Sequence, residues 1–290
     1  MTSFEPTHVA LPGAPGTATK TLTHVGAGGR TLRMQVVEAR PARHQLLYLH
    51  GIESHGGWFL RAALALRERD CTTFLLDRRG SGLNGGEAPG DAASAAVLLE
   101  DVRCARAALG DPVLHLVGLS WGGKLATAVA LAEPDRVASL ILVTPGLRAR
   151  VDLTWRQKLA VGLSLLGGGT RRFPVPIVAE MFTREPDLLA FIRNDPLRTT
   201  SVTARFLYAT RCLDRQIRRE IASLKVPVLL FLAGQDQIVD NEAVLRLLAP
   251  LDPARLEVRR YEQAMHSIQL EHTDAMVADI AAFLEARQPW

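Results

Sequence analysis

The chain has 290 residues, 48% of them hydrophobic and 22% charged, with a net charge of +4. These are the proportions of a soluble globular protein, and no apolar run reaches the length of a membrane span. Length alone leaves one large domain or two small ones open. The N-terminus lacks a basic patch followed by an apolar core, so a cytoplasmic location is expected. Cys71, Cys104 and Cys212 are odd in number and widely spaced, which excludes a disulfide framework and a zinc pattern. From Leu147 to Ile221 there are fourteen Arg/Lys against seven Asp/Glu, which leaves the rest of the chain net negative. Such a segment attracts anionic lipid or acidic substrate, or is simply a solvated helical surface. No nucleic-acid reader motif accompanies the charge, so no nucleic acid partner is expected.

Residues 1–20, rich in Pro, Gly and Thr, read as a loose leader. Thr31–Ala39 alternates as a half-exposed strand, with Gly26–Gly29 as a hairpin turn before it. Gln45–Leu49 is a continuous apolar run and predicts a buried strand, and Trp58–Arg69 has helical spacing. Thr72–Leu76 (strand), Asp91–Leu109 (helix), Leu114–Leu119 (strand), the helix after it and Ala138–Thr144 (strand) continue the alternation. Between Gly146 and Leu224 the pattern breaks into short helical pieces interrupted by Gly167–Gly169, Pro174, Pro176, Pro186 and Pro196. It resumes with a strand at Val228–Leu232, a helix at Asn241–Leu248, a strand at Arg255–Tyr261 and a helix at Thr273–Ala286. Alternating strands and helices predict an α/β fold, a mainly parallel sheet with helices on both faces. The interruption predicts a helical lid (147–224) inserted after the strand near 138–144, over a core of 21–146 and 225–290. Ligands bind at the C-terminal strand edge of such sheets.

The chemistry centres on Gly118-Leu119-Ser120-Trp121-Gly122, a G-x-S-x-G between a buried strand and a helix. This pattern makes a tight turn that pushes a serine hydroxyl out at the sheet edge. The following helix aims free N–H groups and its positive dipole end at the developing charge. A serine needs a base, and the base an orienting acid, in the order Ser, Asp or Glu, His. Asp236 and His266 each lie just past a predicted strand and so emerge at the same edge as Ser120. Asp240 is the rival acid but sits where it caps the helix at Asn241, and His272 is the rival base but starts the last helix. The oxyanion hole would use the amides of Trp121 and Ile52, the latter in the loop His50–Gly57. His50 as a metal ligand lacks partners at ligand spacing, and Lys124 does not complete a phosphate loop. No metal and no cofactor are expected.

These features resemble the α/β-hydrolase superfamily and, within it, the monoacylglycerol lipase and lysophospholipase-like serine hydrolases. The resemblance rests on H-G-x-x-x-H-x-G at His50–Gly57, D-x-x-G-x-G at Asp77–Gly82, G-x-S-x-G at Gly118–Gly122, G-x-D-x-x-x-D at Gly234–Asp240 and A-x-H at Ala264–His266. It covers nearly the whole chain beyond the leader, the lid segments Met181–Thr183 and Phe191–Arg198 included. Trp58-Phe59 stands where such lipases often carry Arg-Tyr, and Glu53 replaces a small residue; both departures bear on the substrate.

The resemblance implies a lipase-like esterase working through an acyl-enzyme on a monoacylglycerol, lysophospholipid or similar small acyl ester. His50, Gly51, Glu53, Phe182 and Phe191 would surround that substrate, and the basic lid would touch a lipid surface transiently. Thioester, lactone or carbon–carbon bond hydrolysis and acyl transfer use the same three residues, and a non-catalytic ligand receptor uses the same fold. The apolar clusters of the lid predict a pocket favouring medium or long acyl groups over acetate.

Overall fold

The computed structural model describes residues 19–86 and 88–287. Nearly all of the expected leader therefore lies outside the described residues, and Lys20 already belongs to a strand. β1 (Lys20–Val25) and β2 (Thr31–Val37) are antiparallel, joined by a turn in which Gly28 and Gly29 adopt φ of 68° and 77°. Only glycine reaches that region without strain. β3 (His44–Leu49), α1 (Leu60–Arg67), β4 (Cys71–Leu76), α2 (Ala95–Ala108), β5 (Leu114–Leu119), α3 (Trp121–Ala132) and β6 (Val137–Val143) then alternate. An insertion follows, comprising α4 (Trp155–Leu166), β7 (Arg172–Pro174), α5 (Pro186–Asn194), β8 (Ser201–Thr203) and α6 (Ala204–Glu220). The alternation closes with β9 (Val228–Ala233), α7 (Asn241–Leu248), β10 (Leu256–Tyr261), α8 (Ile268–Glu271) and α9 (Thr273–Glu285).

The described strands outside the insertion form one sheet in the order β1-β2-β4-β3-β5-β6-β9-β10, parallel from β4 onward. The central strands are mostly apolar on both faces, and β9 wholly so, because helices cover both sides of the sheet. On one face Leu47, Leu116, Leu140 and Leu230 pack with Leu98 of α2, Leu125 of α3 and Leu213 of α6. On the other, Leu46, Val117, Ile141 and Leu229 pack with Leu66 of α1 and Ile280 of α9. Successive residues of a strand alternate between the two cores, as the pleat requires.

Register decides where the chemistry emerges. Leu49 pairs with Gly118, Gly118 with Leu142, Val143 with Phe231 and Ala233 with Tyr261. The loops that carry His50, Ser120, Thr144, Asp236 and His266 consequently leave the sheet along one edge. The insertion leaves the sheet at this edge, and α6 then carries the chain back along one face to the opposite edge, where β9 begins beside Leu140.

Two sequence expectations are corrected. The helix expected from Asp91 starts at Ala95, because the Ser94 hydroxyl caps it by accepting from the Val97 amide at 3.2 Å. The insertion is not purely helical, since β7 and β8 pair antiparallel with Phe173 opposite Val202. Strands of three residues are too short to leave a periodic signal. Among the described residues, no helix is long and apolar enough to cross a membrane.

Candidate active site

Ser120 sits between β5 and α3 with φ 51° and ψ −122°, a strained conformation for a residue with a side chain. Close packing holds it there. A Cβ on Gly118 would lie 2.6 Å from the Gly123 Cα, and one on Gly122 would lie 2.0 Å from the Leu49 carbonyl oxygen. Gly123 is needed as well, since its Cβ would meet Pro145 at 2.7 Å. The Ser120 carbonyl accepts from Gly123 N at 2.9 Å and Gly146 N at 2.7 Å. Trp121 opens α3, so its N–H has no intrahelical acceptor.

The turns after β9 and β10 bring Asp236 and His266 together. His266 Nδ1 lies 2.9 Å from Asp236 Oδ2, and both side chains are buried. Asp236 Oδ1 accepts from the amides of Ile238 and Val239 at 2.8 and 2.9 Å. Three donors hold this carboxylate in place, and its bond to Nδ1 puts the imidazole proton there. His266 Nε2 is left as an acceptor, buried and without a partner in the structure. Thr144, a second residue at positive φ (41°), donates from Oγ1 to the His266 carbonyl at 3.0 Å. Asp240, by contrast, accepts from the Ala243 amide at 3.0 Å as the N-cap of α7, and His272 lies at the start of α9 against Tyr261.

The loop after β3 is set by a residue that sequence reasoning missed. The buried Arg78 guanidinium donates to the Gly51 carbonyl at 3.0 Å and to the Ile52 carbonyl at 2.6 Å. In a trans peptide the N–H points opposite to the C=O. Holding the Gly51 carbonyl therefore turns the Ile52 N–H away from Arg78. His50 supports the same turn. Its Nδ1 donates to the Gly51 carbonyl at 2.8 Å, and its Nε2 accepts from the Arg78 amide at 3.0 Å. Burial, with the nearby Arg78 charge, holds its pKa well below the usual histidine range, so it stays neutral. The D-x-x-G-x-G turn carried Arg78 in plain view, but its spacing gave no sign of this contact.

The insertion is bolted to that loop by buried polar pairs. Arg198 donates to Glu53 Oε2 at 2.6 and 2.9 Å, and Asp195 Oδ2 receives Trp58 Nε1 at 2.6 Å and His55 Nε2 at 2.9 Å. Trp58 and Glu53, the two departures from the lipase pattern, thus each hold part of the insertion.

Two cavities meet Ser120. The larger, about 640 Å³, runs between the sheet edge and the insertion and includes Ile52, Ser120, Trp121, Leu165, Leu207 and Val239. Its lining also contains Lys124, ion-paired to Asp214 at 2.7 Å, together with Arg148, Arg211 and Arg218. The smaller is bordered by Gly51, Glu53, Ser54, Ser120, Phe182 and His266, among others. His50 and Phe191, expected at the substrate, stand outside both walls. His50 braces the oxyanion loop from behind, and Phe191 packs on the Trp58 ring at 5.9 Å.

The model of the family described as serine aminopeptidase, S33 matches residues 40–273. The 2-hydroxy-6-oxononadienedioate/2-hydroxy-6-oxononatrienedioate hydrolase of Klebsiella pneumoniae is 27% identical, covering 92% of this chain and 96% of its own. The pimeloyl-[acyl-carrier protein] methyl ester esterase of Chromobacterium violaceum is 28% identical, covering 83% and 94%. Among solved structures, a soluble variant of monoglyceride lipase from Saccharomyces cerevisiae superposes with a TM-score of 0.83 at 17% identity, covering 97% of this chain and 100% of that one. The fold is that of the α/β-hydrolases.

Proposed function

The chain belongs to the serine aminopeptidase S33 family, and we propose that within it this protein hydrolyses medium- or long-chain acyl esters through an acyl-enzyme on Ser120. The observation that carries this reading is the large, mainly apolar cavity that ends at Ser120, beside the amides of Ile52 and Trp121. His266 Nε2 takes the Ser120 proton as Oγ attacks the acyl carbon, and Asp236 stabilises the imidazolium that forms. The oxyanion accepts from the N–H groups of Ile52 and Trp121. Collapse of the intermediate passes the proton from His266 to the leaving alcohol, and water then releases the acid.

The acyl chain lies along Leu165, Leu207 and Val239, while Phe182 borders the smaller cavity and Phe191 packs on Trp58. The polar part of the ester meets Arg148, Arg211 or Arg218, in keeping with a monoacylglycerol, lysophospholipid or similar amphiphile. Substrate would arrive from a lipid surface that receives the exposed apolar side chains of α4. Each buried methylene is worth roughly 0.8 kcal/mol, so kcat/KM should rise by up to about fourfold per methylene from acetyl towards octanoyl esters. Leu207→Ala should flatten the rise. A panel in which acetyl esters are the best substrates would overturn the acyl-pocket reading.

A further inference from the structure

The small cavity beside Ser120 is ringed by polar groups that the fold leaves without partners. Glu53 Oε1, Ser54 Oγ, His266 Nε2 and both ends of the Gln269 amide are buried and unbonded, and all four residues border this one space. Elsewhere the same side chains are well served: Glu53 Oε2 holds Arg198, and His266 Nδ1 holds Asp236. Buried polar groups are normally satisfied, so four such residues around one cavity point to an occupant.

Size and valence say what fits. The space open to the centre of a water molecule is about 10 Å³. That suits one water and is too small for a glycerol or a leaving alcohol. Glu53 Oε1 and His266 Nε2 are acceptors, and the Ser54 hydroxyl and the Gln269 N–H are donors. The two acceptors can take both protons of a single water, and a donor can hold one of its lone pairs while the other stays free to attack. Gly51 keeps the space open, because a Cβ there would stand 3.1 Å from Ser54 Oγ and 3.3 Å from the Ser120 Cβ. Trp58, Ile177 and Phe182 close the apolar side.

We propose that this cavity seats the water that hydrolyses the acyl-enzyme, with Glu53, Ser54 and Gln269 as the positioning residues that present it to His266. The inference rests on the acyl-enzyme reading above. In the step, the water oxygen bonds to the acyl carbon while one of its protons passes to His266 Nε2. The bond from the acyl carbon to Ser120 Oγ then breaks, and that proton moves from His266 to Oγ. A carboxylic acid leaves and Ser120 is restored.

The test separates the two halves of the reaction. In Gln269→Leu, labelling by a fluorophosphonate and the initial burst from a p-nitrophenyl octanoate should match wild type. Steady-state turnover should fall by about tenfold, the effect of one hydrogen bond lost from a transition state. Added methanol, which brings its own nucleophile, should recover product release as the methyl ester. Ser54→Ala is the second variant, with the same split expected, should Gln269→Leu not fold. Turnover equal to wild type, or burst and turnover falling together, would overturn the water site. A wild-type enzyme with neither label nor burst would instead remove the acyl-enzyme reading, and the water site with it.

Discussion

Helix α4 buries none of its residues, whereas α5, in the same insertion, buries Leu188, Phe191 and Ile192. Trp155, Leu159, Leu163 and Leu166 stand 70, 58, 61 and 87% exposed. Their spacing places the first three along one face of the helix, while Val161 and Leu165 line the large cavity. The α5 half meets the sheet edge differently. Asp195 and Arg198 tie it to His55, Trp58 and Glu53, the Thr199 amide donates to the Glu53 carbonyl at 2.9 Å, and the Ser267 amide donates to that of Phe182 at 3.0 Å. The anchored half therefore fixes the surroundings of Ser120, and the free half forms an outer wall with an apolar face to spare. This exposed stripe is where the lipid contact proposed above would fall.

Substitutions beneath, within and outside the anchored half should separate chemistry, coupling and delivery. The largest effect belongs beneath it. Asp236→Asn should lower kcat on the order of 10⁴-fold by holding His266 in the wrong tautomer. Asp240→Asn should leave kcat near wild type, because Asn caps a helix about as well as Asp. Steady-state kinetics on one soluble ester ranks the two, and the reverse ranking would discard the assignment.

Within the anchored half, Asp195→Ala removes the acceptor of both Trp58 and His55. Two bonds to a buried carboxylate are worth roughly 3 kcal/mol or more together, which urea denaturation will measure. The loss should shrink in acid. Burial raises the Asp195 pKa, but the His55 and Trp58 hydrogen bonds outweigh it and the net direction is downward. A lowered carboxyl stabilises the fold fully above its unfolded value, near 3.9, and loses that contribution as pH falls through the folded one. The gap between wild type and Asp195→Ala should thus narrow as pH falls below about 4, by the part that depends on the carboxylate's charge. A gap that stays constant with pH would show that the carboxylate's charge is not what binds the insertion.

The smallest effect on the fold lies outside. The double variant Leu159→Gln, Leu163→Gln should keep its stability to within about 0.5 kcal/mol, as exposed substitutions do, and its rate on a soluble ester. Co-sedimentation with anionic phospholipid vesicles should drop. Unchanged vesicle binding would leave the stripe without the lipid role given to it.

The division between the two halves was not legible in the sequence, although the site beneath them was. Gln45–Leu49 and Leu114–Leu119 are mostly apolar and Val228–Leu232 wholly so, and these short apolar runs located the sheet. Ser120 was fixed by glycines whose spacing reflects backbone contact, and Asp236 and His266 by their positions just past strands. Asp240 was rightly read as a helix cap. Arg78, Thr144, Asp195 and Arg198 were missed for a different reason. Each acts through a fold-dependent contact, Arg198 reaching Glu53 across 145 positions and His55 reaching Asp195 across 140. Phe191 and Phe182 looked alike as apolar side chains, yet only Phe182 borders a cavity at Ser120, because α5 turns Phe191 onto Trp58. Local pattern encodes elements and turns; it does not encode which way an insertion folds back.

The central claim is that Ser120 carries the acyl group during turnover, and intact-protein mass spectrometry on enzyme acid-quenched while hydrolysing an octanoyl ester tests it most directly. The account predicts a wild-type population heavier by one octanoyl group, mapped by digestion to the peptide containing Ser120, and neither adduct nor turnover in a folded Ser120→Ala variant. Undiminished hydrolysis by Ser120→Ala, or an adduct mapped to another residue, would contradict it.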